Sequence, residues 1–545
     1  MTSSRIVTCA TFLWVLFFSA VIYRLVPTST RDGVWTHNVL RNWEEYGFFK
    51  LGGRLVCNPG GHEAITNPRI ITGHRAASLY LPYLVARLSG GTKSSGLLFH
   101  VLLAALILGT TWHFLGRTPL ALMVGCAAVL SPGFIRCNTF FDPLAVPVLL
   151  GLPVMFWSRE QLRRTPFRWR SSCLLAIVLT GYSLINWTGV FALAIFAAYL
   201  FAAPEMSRRS LFLFLGVAGA AATIVVAVSV LSKMQNGTAT DTTLRWSQLY
   251  NAYLFGPGGY MGYPMNWPKA IIRLVAANVV GLLPLLSICG WIVCRTHGIR
   301  AINGRVLSPL LAAALSIAVM RNYFAHHAWM AASLLIVGMI FSAGLLTVDL
   351  NAGKNSRGPG IGTTTKYLAP TFAVASFLYC CAVVLFLRVN AEGEDALLSL
   401  IQQNTDRHDM IVVSRQTDAL LAENAIRLSE PFDRKIVVLD SLQPLAPDDA
   451  GPKGFLLSAQ SLFNGLHEVA RTTRRNSFAL DLARKTLAWY RRVIVRRAKG
   501  DRLETEPAYY LFSLPKEQAG LVSSGQFETI PSSLNKPGLL TDKSR

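Results

Sequence analysis

Charge is what this chain has least of. Asp, Glu, Lys and Arg make up 15% of its 545 residues, where soluble globular chains carry about 25%. That leaves too little polar surface to cover a chain that is 52% hydrophobic, which excludes an ordinary soluble protein. Acidic residues are the scarcest, 29 against 52 Lys and Arg, and Asp, Glu and Lys hardly occur at the middle of any apolar run. Nucleotide loops are missing as well: "GPGG" at 256–259 has no Walker lysine and no helix after it. The cysteines form no CxxC pair and no Cys/His cluster, so neither zinc nor haem is indicated. Most of them (Cys9, Cys126, Cys173, Cys289, Cys380, Cys381) lie inside apolar runs and act as small hydrophobes. Cys57 and Cys137 fall in expected outer loops, which leaves a disulfide between them open.

What the chain does have is long apolar runs. Residues 6–26, 95–115 and 369–388 each hold about twenty residues with almost no charge, enough to cross roughly 30 Å of hydrocarbon. The first has Arg5 ahead of it like a signal peptide, but it is too long for a signal core and no small-residue cleavage site follows. It reads as a retained span. Together the runs predict an all-α polytopic membrane protein with about eleven spans, near 6–26, 95–115, 118–135, 142–157, 172–185, 188–203, 210–232, 270–294, 306–320, 327–347 and 369–388. The stretch 172–203 is too long for one span and is interrupted by "INWTG", so it reads as two with a tight turn.

The net charge of +23 would point to nucleic acid in a soluble protein. Here much of the excess sits in short loops, where cytosolic Lys and Arg set topology. Arg5, Arg117, the cluster Arg159, Arg163, Arg164, Arg168 and Arg170, then Arg208 and Arg209, Arg295, Arg300 and Arg305, and Lys354 with Arg357 all share one side on the eleven-span count. That side is the cytosol if the N-terminus is cytosolic. The loops 27–94 and 233–269 and the C-terminal region then lie outside, in a cell membrane expected to be a bacterial inner membrane. The remaining charge suits anionic phospholipid or a phosphate-bearing lipid. A basic platform interleaved with aromatics is missing, so nucleic acid is not an expected partner.

Within the first outer loop, Val39, Trp43, Tyr46 and Phe49 recur near helical period and predict an amphipathic interfacial helix. "SLYLPYLVARL" predicts a segment re-entering the headgroup zone, kinked or broken at Pro82. After residue 390 strands alternate with helices: "DALLSLIQQNT" as helix, "DMIVVS" as strand, "TDALLAENAIRLS" as helix and "KIVVLD" as strand. That pattern predicts a small C-terminal α/β domain over 391–525 beside the 1–390 membrane domain, with "WYRRVIVRRA" and "AYYLFSL" as a hairpin and 526–545 as a disordered tail.

Polar groups gather at the outer mouths of spans. Asp32 follows the first span by about six residues, where a carboxylate beside a low-dielectric surface can activate a hydroxyl; a solvated loop aspartate is the plainer reading. Asp142, before Pro143, opens the fourth span and also fits a helix cap. "RNYFAHHAWM" brings Arg321, Tyr323, His326 and His327 to an outer interface, against the positive-inside bias. Arg321 there suits pairing with a phosphate, or snorkelling as an anchor. The adjacent histidines lack the i, i+4 spacing of a helical zinc site. His74 and Arg75 precede the re-entrant segment, and loop 233–269 offers Asp241, Arg245 and an aromatic, Gly- and Pro-rich run.

The order of these pieces resembles the integral-membrane glycosyltransferases of the GT-C fold, in the branch of protein O-mannosyltransferases and the aminoarabinose transferase of lipid A. Asp32 and "RNWEEYGFFKLGG" match an early acidic residue followed by interfacial helices. "GHRAASLYLPYL" is similar to a "GHPPLYY" element without its prolines, and "SPGFIRCNTFFDP" to an "SP…D-P" loop. "GYSLINWTG" is similar to a Gly…Thr-Lys-x-Thr-Gly turn with Asn186 in place of the basic residue. "RNYFAHH" is similar to an "R-H-x-Y-Y" element. The resemblance covers about 5–390 and leaves the C-terminal domain unconstrained. It implies inverting transfer of a hexose or pentose from a polyprenyl-phosphate donor to a lipid, glycan or protein acceptor at the outer face. Asp32 would be the general base and Asp142 its helper. Arg321, with Arg75 or Arg245, would hold the carrier phosphate, and His74, Tyr323 and His326 would complete the substrate contacts. No cofactor is implied; a divalent cation has no support in the sequence. A transporter or flippase of lipid-linked saccharide is the rival class, but the spans lack mid-depth charges and internal duplication.

Overall fold

The computed structural model describes residues 3–26, 35–61, 64–65, 68–71, 76–138, 145–163, 169–186, 188–235, 282–298, 302–321, 324, 331–352, 365–390, 392–414, 433–439, 454–458, 467–471 and 510–513. Along these the chain forms helices α1 (Ser3–Leu25), α2 (Trp35–Asn42), α3 (Tyr80–Leu88), α4 (Thr92–Phe114), α5 (Pro119–Val129), α6 (Pro132–Asn138), α7 (Ala145–Arg163) and α8 (Trp169–Ile185). They continue as α9 (Gly189–Ala202), α10 (Arg208–Gln235), α11 (Leu283–His297), α12 (Gly304–Val319), α13 (Ala331–Ala352), α14 (Thr365–Asn390) and α15 (Glu392–Asn404). Two compact units interleave along the sequence. The first takes Met1–Arg24 and Thr72–Val383, the second Leu25–Ile71 and Val384–Arg545.

The first unit is a helical bundle. Ile6–Leu25, Ser95–Phe114, Arg208–Val225 and Ala331–Asp349 are each long and apolar enough to cross a bilayer, and shorter apolar helices accompany them. The chain is thus a multi-pass membrane protein. The 118–135 run divides after Leu130, because Ser131 Oγ accepts the Phe134 N–H at 3.1 Å and Pro132 has no N–H to donate. The 172–203 run also divides, into α8 and α9. Helices close where glycine removes a side chain. A Cβ on Gly338 of α13 would stand 3.0 Å from the Pro309 carbonyl of α12, and one on Gly151 of α7 would stand 2.2 Å from the Tyr182 hydroxyl of α8. Such contacts matter in lipid, where no hydrophobic force drives helices together and close packing must.

One end of the bundle collects the basic helix termini. Arg159 of α7 pairs with Glu205 at 2.8 Å, its guanidinium 5.1 Å from the Phe114 ring centroid at the end of α4. Ser210 Oγ of α10 donates to the Leu162 carbonyl at 2.9 Å, and Arg305 of α12 pairs with Asp349 of α13. The aromatic rings of Phe114, Phe156, Tyr199 and Phe341 pack beneath. The Ser210–Leu162 hydrogen bond brings the start of α10 to the end of α7 that carries Arg159.

In the second unit, strands β1 (Met410–Ser414), β2 (Lys435–Leu439), β3 (Gly454–Ser458), β4 (His467–Arg471) and β5 (Tyr510–Ser513) form one sheet in the order β2-β1-β3-β5-β4. β2 and β3 flank β1 in parallel, while β5 runs antiparallel to both β3 and β4. Alternate residues Ile411 and Val413, with Phe455 and Leu457, bury against Leu397, Leu398, Leu400 and Ile401 of α15. The expected hairpin of 489–498 with "AYYLFSL" is corrected here. Both edges of β5 are already paired, so no edge is left for it, and 489–498 itself lies outside the described residues, as does the expected helix at 417–429.

The 35–71 part of the unit begins with α2 and passes into a π turn, Trp43–Gly47. Val39 and Trp43 are fully buried, and the Trp43 Nε1–H donates to the Arg54 carbonyl at 2.8 Å. The predicted stripe does not reach Phe49, which is 91% exposed. The wider i→i+5 turn shifts the helical phase after Trp43. Asn42 is buried, and its Nδ2–H₂ donates to the Val56 and Asn58 carbonyls at 2.9 and 3.2 Å. The Tyr46 hydroxyl donates to the Gly61 carbonyl at 3.0 Å, and burial, then Glu45, push its pKa up to about 12. Cys57 is a buried free thiol whose Sγ donates to the Arg69 carbonyl at 3.4 Å, so the disulfide left open above is not formed at this residue.

Candidate functional site

At the end of the bundle away from the basic termini, a small crevice is lined by Ala145, Val148, Thr188, Phe191, Phe324, Ser333 and Leu334. Three sequence elements meet there. Ala145 opens α7 immediately behind the Asp142–Pro143 pair. Thr188 belongs to the turn of "GYSLINWTG", and Phe324 to "RNYFAHH". The elements are 145–148, 188–191 and 324–334, and only the fold brings them together.

Each wall has a local cause. The turn before α9 is closed by Asn186, which is fully buried; its Oδ1 accepts the Thr188 N–H at 3.4 Å and its carbonyl accepts the Gly189 N–H at 3.1 Å. Asn suits this role because its short amide mimics a backbone turn. Behind the turn, Tyr182 fills the space that Gly151 and Gly189 leave open. Ala145, Val148, Phe324, Ser333 and Leu334 are all buried, so the crevice is a narrow, mostly apolar slot with a few hydroxyls at its wall. Its free volume, about 10 Å³, is room for about one water, so these walls stand almost in contact.

Arg321 lies two residues beyond α12 and three before Phe324, with its side chain exposed. Asp32, Asp142, His74, Arg75, Arg245, Tyr323 and His326 lie outside the described residues, as does the aromatic run of loop 233–269. Pro82 is placed differently from its expected kink. It is the third residue of α3, where helix N–H groups have no intrahelical partner, and Ala76–Leu79 precede it as a 3₁₀ turn. Among the described residues, no group of three His, Cys, Asp or Glu side chains could hold a metal ion.

His100 was not singled out by the sequence. It sits on α4, fully buried, with Nε2 2.7 Å from Ser19 Oγ of α1 and its ring 5.4 Å from Phe134 of α6. A histidine inside a span carries its own signal, being rare there. It ties the first span to the short helix that follows the "SP" break.

These features define a polytopic membrane protein in which residues from three separate segments meet at one end of its bundle. No family model and no curated protein sequence matches the chain. Among solved structures it is similar to ArnT from Cupriavidus metallidurans bound to undecaprenyl phosphate. The TM-score is 0.51 at 12% identity, over 87% of this chain and 98% of that one. At that identity the likeness is one of fold. The chain has the fold of that structure.

Proposed function

We propose that this protein transfers a sugar from a polyprenyl-phosphate donor to a lipid, glycan or protein acceptor at the outer face of the membrane. The observation that carries the reading is that Ala145, Thr188 and Phe324, each next to or within one of three separate motifs, line one narrow crevice. The undecaprenyl phosphate named with the similar structure supports a carrier of the same class. Eleven spans with a cytosolic N-terminus and an extracytoplasmic C-terminal α/β domain complete the proposal, in a bacterial inner membrane.

In the reaction, Asp32 takes the proton of the acceptor hydroxyl as its oxygen attacks the anomeric carbon. The bond from that carbon to the phosphate oxygen breaks, and the electron pair leaves on the carrier phosphate. Configuration inverts because attack comes from the face opposite the leaving group. Asp142 assists the acid–base step. Arg321, with Arg75 or Arg245, neutralises the charge that grows on the phosphate, and His74, Tyr323 and His326 orient the donor. Chemistry at an interfacial mouth suits this distribution better than passage through the bundle, which is the rival transporter reading.

The test uses membranes containing wild type, Asp32→Asn or Asp142→Asn at matched expression and a labelled polyprenyl-phosphate sugar. Label should leave the carrier with wild type, fall by about 10²-fold or more with Asp32→Asn, and fall less with Asp142→Asn. Equal behaviour of all three, together with movement of the labelled lipid between leaflets, would replace transfer by transport.

A further inference from the structure

Within the second unit, the N-terminal and C-terminal parts of the chain meet on one buried carboxylate. Asp433 is 4% exposed. Its Oδ1 accepts the Gly60 N–H at 2.9 Å, and its Oδ2 accepts Arg407 Nε at 2.9 Å and Arg41 Nη1. Arg407 reaches onward, donating to Asn42 Oδ1 at 2.5 Å and to Glu45, which His408 also approaches at 3.1 Å. Arg41, Asn42, Glu45 and Gly60 all belong to the first loop, whereas Arg407, His408 and Asp433 stand beside the strands β1 and β2. Beneath Asp433, Arg434 donates twice to Thr405, through Nε at 2.9 Å and Nη2 at 2.7 Å, and to the Asp433 carbonyl at 3.1 Å.

Asp433 also keeps a left-handed backbone, φ 50°, which a residue with a Cβ adopts at a cost. The strain is tolerated where the surroundings fix it, and here it aims the carboxylate at three donors. Helix α2, which carries Arg41, begins three residues after Asp32. α2 is therefore fastened to the sheet at its C-terminal end, one short helix away from the proposed base.

We infer that Asp433 is a positioning residue: through Arg41, Arg407 and Gly60 it clamps the first outer loop to the C-terminal sheet and so holds the segment that carries Asp32. This rests on the reading of Asp32 as the base. The C-terminal domain then contributes to transfer without touching substrate. Its part is to keep the loop ordered.

Asp433→Asn is the informative variant in the full-length protein in its membrane. Asn tolerates left-handed backbone and still offers Gly60 an acceptor, but it removes the countercharge for Arg41 and Arg407. Arg41→Ala, at a partly exposed partner, is a milder second variant should Asp433→Asn not accumulate. Two readouts apply. The first is alkylation of Cys57 by a water-soluble maleimide, mapped at the peptide, since Cys57 is fully buried in the fastened loop. Release of the clamp should raise its rate on the order of tenfold through local opening. The second is steady-state transfer, where kcat should fall roughly 10- to 100-fold with the donor KM within about twofold, because the donor's own contacts are untouched. Unchanged protection of Cys57 in both variants overturns the clamp, whatever the activity. Opened Cys57 with an unchanged kcat, or a loss confined to KM, overturns the positioning role. If wild type transfers nothing, the proposed function falls while the Cys57 result still decides the clamp.

Discussion

The two units of this chain are held together by different physics. In the bundle, cohesion comes from surfaces brought close: Gly338 against the α12 backbone, Gly151 and Gly189 against Tyr182, and stacked rings at the basic end. In the second unit, an apolar core of α15 against β1 and β3 is joined by a charged network around Asp433. The difference follows from the solvent. Lipid offers no hydrophobic gain for helix association, so shape decides, whereas in water a network with every oxygen satisfied can fasten a loop without a large core.

Breaking the network should cost most. Arg407→Ala leaves the Asp433 and Glu45 carboxylates with fewer donors and should destabilise the second unit by about 3–5 kcal/mol, as removal of one member of a buried ion pair does. Limited proteolysis should then cut within 35–71 while the bundle stays intact. Gly338→Leu attacks the other side of the contrast. It forces a side chain into the Pro309 backbone and should lower the detergent-solubilised melting transition, costing about 1–3 kcal/mol by overpacking, with Cys57 still protected. If either variant disturbed both units equally, the contrast would fail.

The smallest effect is one of pH. The Tyr46 phenol has a folded pKa of about 12 against the ordinary 10.0, raised first by burial and then by Glu45. Because the folded value is the higher one, its contribution is fully present below pH 10 and disappears as pH rises towards 12. Cys57 alkylation, corrected for thiol ionisation, should steepen over that window in wild type and less in Tyr46→Phe. An unchanged slope between the two would remove Tyr46 from the account.

The helices Ile6–Leu25, Ser95–Phe114, Arg208–Val225 and Ala331–Asp349 could be read from the sequence because run length alone reports them. The 172–203 run divided where "INWTG" predicted, since Asn186 supplies its own turn chemistry. The break at Ser131 was also written in the chain, as Ser-Pro, but an apolar run on both sides hid it. What could not be read was the pairing of 25–71 with 384–545. Arg41 and Asp433 are joined across 392 residues, and charged side chains carry no period from which a partner could be found. β3 (GFLLS) and β4 (HEVAR) are as short as β1 and β2 but lack their run of β-branched residues, so they gave no strand pattern. Of the candidate site, the convergence of Ala145, Thr188 and Phe324 is a property of the fold, and His100, whose place inside a span was itself a signal, gains a partner only through the contact with Ser19.

The most direct test of the central claim is photolabelling of native membranes with a photoactivatable polyprenyl phosphate, followed by peptide mapping. The account predicts label on the peptides around 145–148, 188–191 and 324–334, competed away by unlabelled carrier. Label spread along the outer surface of the bundle, and not competed by unlabelled carrier, would contradict it.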